Sequence, residues 1–278
     1  MKKILAILAM TLILGACSQK DKGLEEGKEI QNQIVEPSLS NMADEDSQKF
    51  VENTLKGKIN PDRVNSFMKL VKDYNEAVGS DLLIDGFIKD INKTYDTGKI
   101  INRRDGKDLV DTNCRINAFL LSEDELTNKN QTEIDDSILF TDLDMIKKGN
   151  IFNEDETLKF REFFTSIPTE GSKDPAVQGK VAEKYYQKWT YPEKIDLVSV
   201  MIHDKLDGDK LFIGHIGVLT EIEGGYLFVE KISFEEPYQA IKFPTKDACY
   251  KYLKDKFKDF IDPEAAPPFI MDNGKYIE

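Results

Sequence analysis

Cys114 and His215 are the two side chains in this sequence best suited to do chemistry together. Cys114 lies in Asp111-Thr112-Asn113-Cys114-Arg115-Ile116-Asn117. Asp111, Thr112 and Asn113 are all good helix caps, so the pattern predicts a helix that begins here with Cys114 in its first turn. Unpaired backbone N–H groups and the helix dipole at that position favour a thiolate over a thiol. The same N–H groups can stabilise an oxyanion when a carbonyl is attacked. Read without chemistry, Cys114 is a small buried residue, as most unpaired cysteines are.

His215 sits in Phe212-Ile213-Gly214-His215-Ile216-Gly217-Val218-Leu219, inside a predicted strand, where Gly214 and Gly217 leave room for a backbone or a ligand to come close. Taken alone, a satisfied core histidine is the simpler reading of His215. His203 ends the preceding strand beside a turn and is expected to be exposed. Glu230, on the next strand, is a carboxylate that could fix the imidazole tautomer and stabilise its charged form. With Gly224-Gly225 as the hairpin loop, Glu223 pairs with Tyr226 and Glu230 falls opposite Leu219. That is the His215 face, but roughly 13 Å along at 3.3 Å per residue, so a bulge or strong shear is required. In that register Phe234 faces His215 with Glu235 beside it, leaving the third group open between Glu230 and Glu235. Asn75 and Tyr74, on an early helix, are candidate oxyanion donors; their plainer reading is a surface amide and a core phenol.

The elements that must position these residues follow from periodicity. Pro61 opens a helix in which Val64, Phe67, Met68, Val71, Tyr74 and Val78 form an apolar stripe, with Gly79 as its stop. Asn153 to Ile167 and Pro175 to Trp189 also read as helices. The character then changes to strands: Ile195–Ile202, Leu211–Ile222, Tyr226–Phe234 and Tyr238–Phe243, joined by turn signals at Asp207-Gly208-Asp209 and Glu223-Gly224-Gly225. A closing helix from Thr245 to about Phe260 carries Ala248, Cys249, Tyr252, Leu253, Phe257 and Phe260 on one side. Helices first and an antiparallel meander later make the chain α+β.

Composition bounds the function. The 278 residues carry 38 Lys+Arg against 51 Asp+Glu, a net charge of −13 that argues against nucleic acid as a partner. Three cysteines cannot build a disulfide framework, and two histidines cannot build a His-rich metal site, so no metal or cofactor is expected. Asp204 to Asp209 lacks the length and closing Glu of an EF-hand loop. With 16 Phe and 10 Tyr the chain is not a solvated acidic coil.

The N-terminus reads as an export signal. Met1-Lys2-Lys3 is followed by an apolar run from Ile4 to Leu14, too short to span a bilayer, and then by Gly15-Ala16-Cys17. Cysteine directly after Leu-Gly-Ala resembles a bacterial lipobox, which implies an acylated Cys17 (palmitate among the acyl chains) as the mature N-terminus and anchorage to the cell membrane. Loss of residues 1–16 removes two lysines and no acid, taking the charge from −13 to −15. The expected organisation is a signal over 1–16, a flexible acidic stalk over 17–39, and one α+β domain over 40–278 on the extracytoplasmic face.

Two resemblances add to this reading. The order of Cys114 at a helix start, His215 on a strand and Glu230 on the following strand is similar to papain-like NlpC-type and CHAP amidases. That implies a cysteine nucleophile, a histidine base and a polar orienter. Arg115 departs from the small residue that follows the nucleophile there, and about 100 residues separate Cys114 from His215. Over most of the mature chain, Leu39-Ser40-Asn41-Met42, Val71-Lys72-Asp73-Tyr74-Asn75, Thr112-Asn113-Cys114-Arg115-Ile116-Asn117, His203 to Asp209, Phe228-Val229-Glu230-Lys231 and Glu236 to Pro244 resemble the Gram-positive lipoprotein family known as domain of unknown function 4300. That resemblance implies an envelope lipoprotein and carries over no activity. The expected function is an anchored thiol hydrolase of an envelope amide or ester, with peptidoglycan or a peptide as the accessible substrate. Its rival is a non-catalytic binding or scaffolding lipoprotein, in which Cys114 is buried and unreactive.

Overall fold

The computed structural model describes residues 33–129, 133–206, 208–260 and 262–278, so the Cys17 segment lies outside the described residues. Strand β1 (Ser38–Ser40) starts two residues ahead of the expected domain start and is followed by α1 (Glu45–Lys56) and α2 (Pro61–Val78). A 3₁₀ turn (Ser80–Leu82) leads to α3 (Thr97–Arg104), α4 (Cys114–Ser122), a short β2 (Thr127–Asn128), α5 (Phe140–Gly149) and α6 (Glu154–Phe163). Then come β3 (Ile167–Pro168), α7 (Pro175–Tyr186), β4 (Trp189–Thr190), β5 (Asp196–Asp204), β6 (Lys210–Ile222), β7 (Gly225–Lys231) and β8 (Tyr238–Phe243). Helix α8 (Lys246–Phe257) and a hairpin of β9 (Phe269–Asp272) and β10 (Lys275–Ile277) end the chain. The fold is α+β, with a main sheet ordered β1-β8-β7-β6-β5-β9-β10 and every pairing antiparallel.

Local chemistry explains most helix starts. Asp44, Asn60, Asn113, Asn153, Asp174 and Thr245 each cap a helix by accepting a backbone N–H, and Pro61 and Pro175 occupy first turns. The predicted helices ending at Ile167 and Trp189 stop earlier, at Phe163 and Tyr186, and the segments beyond them form β3 and β4. Helices α1, α3 and α5 and the strands β1, β9 and β10 stand outside the sequence reading, although α1 has a cap at Asp44 and buries Ser47, Val51 and Leu55 along one face.

Alternation along the strands builds two cores. Leu197, Met201, Leu227, Val229 and Ala240 face the helical half of the chain, packing with Phe67, Phe119 and Phe160. Val198, Val200, Phe228, Ile241 and Phe243 face the other way, onto Cys249, Leu253 and Phe257 of α8. The sheet is thus a middle layer with α4 on one side and α8 on the other. No helix among the described residues is long and apolar enough to cross a membrane.

Candidate active site

Cys114 is the first residue of α4. The Asn113 side chain accepts from Ile116 N at 3.1 Å, which fixes the helix start. A first turn leaves the N–H groups of Cys114 and Arg115 without acceptors inside the helix. The residues on either side of Cys114 converge on one carboxylate of α5. Asn113 Nδ2 donates to Asp142 Oδ1 at 2.8 Å, while Arg115 donates from Nε at 3.0 Å and Nη2 at 2.8 Å. The Arg115 guanidinium is therefore held by Asp142, and its charge helps to lower the Cys114 thiol.

His215 and Glu230 meet because β6 and β7 part company. Their ladder runs from Ile222↔Gly225 to Val218↔Val229 and ends there, while Glu230 continues in register with Gln239 of β8. On the β5 side Val200 pairs with His215 and Met201 with Ile213, leaving Gly214 as the extra residue of a bulge. His215 Nε2 and Glu230 Oε2 lie 2.6 Å apart. The hairpin loop is Glu223-Gly224, not Gly224-Gly225, which moves Glu230 two residues closer to His215 than the predicted register. The start of α4 enters where the ladder has ended, and Arg115 Nη1 donates to the Ile213 carbonyl at 3.3 Å. From the α8 side, Phe257 stacks on the His215 ring with centroids 5.0 Å apart. Tyr252 donates to the second Glu230 oxygen at 2.6 Å.

The charges of this cluster support one another. Burial alone pushes the Cys114 thiol up, but its hydrogen bond with His215 and the ring's charge bring it below the ordinary thiol range. Burial pulls His215 down, yet the Cys114 and Glu230 interactions outweigh it and raise the ring to about 9. Glu230 is pushed up by burial and brought below the usual carboxylate range by the His215 hydrogen bond and charge, with Lys256 and Tyr252 adding to it. With Nε2 engaged by Glu230, Nδ1 is the ring nitrogen left over; it is buried without a hydrogen-bond partner and is the nitrogen free to meet the Cys114 sulfur. All three shifts run in the direction of a thiolate beside an imidazolium, backed by a carboxylate.

Other candidates lie elsewhere. Tyr74 donates its hydroxyl to the Glu235 carbonyl, and Asn75 Nδ2 donates to the carbonyls of Asn41 at 3.0 Å and Met42 at 2.8 Å. Both are occupied as structural ties, so neither is an oxyanion donor at Cys114. Glu235 offers its carbonyl to Tyr74 and Arg104, and Glu230 takes the place beside His215. His203 is buried, not exposed: Nε2 meets Asp209 at 2.5 Å, and Nδ1 accepts from Ala266 N at 2.9 Å. Cys114 and Cys249 are both free thiols. The sequence reading missed Asp142 and the role of Tyr252. Tyr252 had a visible signal, a phenol on an apolar stripe that must find a partner; Asp142 had none, since α5 was not foreseen.

The cluster is closed. Cys114 is 4% exposed, His215 0% and Glu230 2%. A cavity of about 470 Å³ between α5 and α6 and one of about 340 Å³ beside α2 have no triad residue in their walls. Among the described residues no group of His, Cys, Asp and Glu is arranged to hold a metal.

The family model described as domain of unknown function DUF4300 matches residues 38–277, from the first strand to the last. The chain belongs to this family. In this DUF4300 chain the match takes in α4, β6, β7 and α8, and hence every residue of the Cys114 cluster. No curated protein and no solved structure matches the chain.

Proposed function

We propose that this DUF4300 chain is a thiol hydrolase of papain-like type, anchored through Cys17 on the outer face of the cell membrane and acting on an amide or ester of the envelope. The observation that carries the reading is a cysteine at a helix start sharing a histidine whose other nitrogen is held by a buried carboxylate. In this reading Cys114 Sγ attacks the carbonyl carbon, and the Cys114 and Arg115 N–H groups receive the oxyanion. The His215 imidazolium gives its proton to the departing amine or alcohol as the carbon–nitrogen or carbon–oxygen bond breaks. His215 then takes a proton from water, which adds to the thioester; collapse frees the acid and returns the proton to the Cys114–His215 pair. Glu230 keeps the ring oriented and compensates its charge throughout. Peptidoglycan stem peptides are the accessible amides at that location.

Burial of Cys114 gives this mechanism a condition: the site must open, since a reacting carbonyl needs to come within about 3–3.5 Å of the sulfur. The same burial favours a second reading, a binding or scaffolding lipoprotein in which the cluster only holds α4 to the sheet. Labelling by a small vinyl sulfone separates the two. The hydrolase reading predicts modification of Cys114, absent in Cys114→Ala and strongly slowed in His215→Ala. A Cys114 that stays unlabelled in the folded protein supports the scaffold.

A further inference from the structure

The Glu230 carboxylate has two oxygens, and only one of them serves His215. Oε1 accepts from the Tyr252 hydroxyl at 2.6 Å, and both side chains are buried. The single Tyr252 proton goes to Glu230, with Gln239 Oε1 the more distant acceptor at 3.3 Å; Gln239 Nε2 donates to Tyr95 Oη at 3.0 Å, and Asn41 Nδ2 donates to the same oxygen at 2.8 Å. A line of polar side chains thus crosses the α8 face of the sheet, from Asn41 beside β1 to the carboxylate behind His215. A buried carboxylate with a single partner can rotate about its Cγ–Cδ bond and withdraw its oxygen from the ring; a second, oppositely placed donor stops that rotation. Carboxylates in such settings also depend on their donors to remain ionised.

We propose that Tyr252 is a positioning residue that fixes the rotation and the ionisation of Glu230, and through it the orientation of His215 toward Cys114. This inference rests on the reading of Cys114, His215 and Glu230 as a working triad. The Tyr252 hydroxyl is suited to the task because burial and the neighbouring carboxylate keep it protonated far above the ordinary phenol range. The groups that face Glu230 are His215 from β6, Tyr252, Cys249 and Lys256 from α8, and Tyr95. Among these, Tyr252 and His215 are the ones that donate hydrogen bonds to its oxygens.

The test follows thiolate ultraviolet absorbance against pH in the full chain, with Cys114→Ala as the blank, so that reagent access to the buried sulfur plays no part. In the wild type, loss of the thiolate on acidification tracks protonation of the Glu230-backed pair. Tyr252→Phe is expected to move that acid limb upward by about half a pKa unit, about a threefold smaller thiolate fraction on the limb. The shift is expected to vanish in a His215→Ala background, where a merely structural loss would persist. Should Tyr252→Phe not fold, 3-fluorotyrosine at 252 keeps the ring and offers a stronger donor, and the limb moves downward. A limb unmoved by either change overturns the role of Tyr252 while leaving the triad intact. A wild-type limb indifferent to His215→Ala overturns the triad reading itself.

Discussion

His215 and Glu230 stand on neighbouring strands just past the point where those strands stop pairing. The last ladder pair is Val218↔Val229, and the side chains beyond it close to 2.6 Å between Nε2 and Oε2. The opening leaves the Ile213 carbonyl of β6 to Arg115 in the first turn of α4, so a cysteine from one side comes to a histidine that packs on the other. Glu230→Gln keeps the shape and removes the charge. The His215 ring is then expected to fall well below its value of about 9, read by nitrogen NMR of the imidazole, with loss of thiolate at neutral pH.

Gly217 marks the exit of β6 from β7. A Cβ there would lie 2.3 Å from Phe228 Cζ and 2.9 Å from the Val229 carbonyl, and the carbonyl cannot move without disturbing the last ladder pair. Gly217→Ala is expected to destabilise the fold by about 1–3 kcal/mol in denaturant unfolding.

Asp142 holds Asn113 and Arg115 at once and is fully buried. Asp142→Ala leaves the Arg115 guanidinium without its carboxylate, for an expected loss of about 3–5 kcal/mol. The double change Asp142→Leu with Arg115→Met is expected to recover most of that stability in denaturant unfolding.

Lys231 and His215 tilt stability against pH in opposite directions. Burial lowers the folded Lys231 from 10.5 to about 7, while its Nζ donates to the carbonyls of Ser233 at 2.6 Å and Phe234 at 2.8 Å. Between about 7 and 10.5 the unfolded chain binds the extra proton, so this group's contribution rises with pH across that window. His215 is raised from 6.5 to about 9, so its contribution is complete below about 6.5 and lost as pH climbs through 9. Lys231→Met is expected to remove the rising component, and His215→Ala the falling one, in unfolding free energy measured from pH 6 to pH 10 at about one-unit steps.

Much of this was legible from residue types. Asn113-Cys114 as a cap followed by a nucleophile position needed only capping chemistry, and α4 begins at Cys114. Pro61 and Gly79 bracketed α2, and Tyr238–Phe243 was read with its observed ends. The His215–Glu230 contact was not derivable, because it depends on a loop shifted by one residue and on a ladder that stops early. Neither event leaves a local pattern; Gly-Gly offers two equivalent turn placements, and only Gly224 takes positive φ, at 77°. Asn75 and Tyr74 were drawn toward the site by type alone, and the carbonyls that occupy them come from segments distant in sequence.

The central claim is that Cys114 is held as a thiolate by His215, and its pH titration tests this most directly. Thiolate absorbance should persist well below the unperturbed thiol range near about 8.5, and in His215→Ala the buried thiol should move above that range. A Cys114 that titrates as an ordinary or raised thiol, unchanged by His215→Ala, would contradict the account and leave the cluster a structural tie.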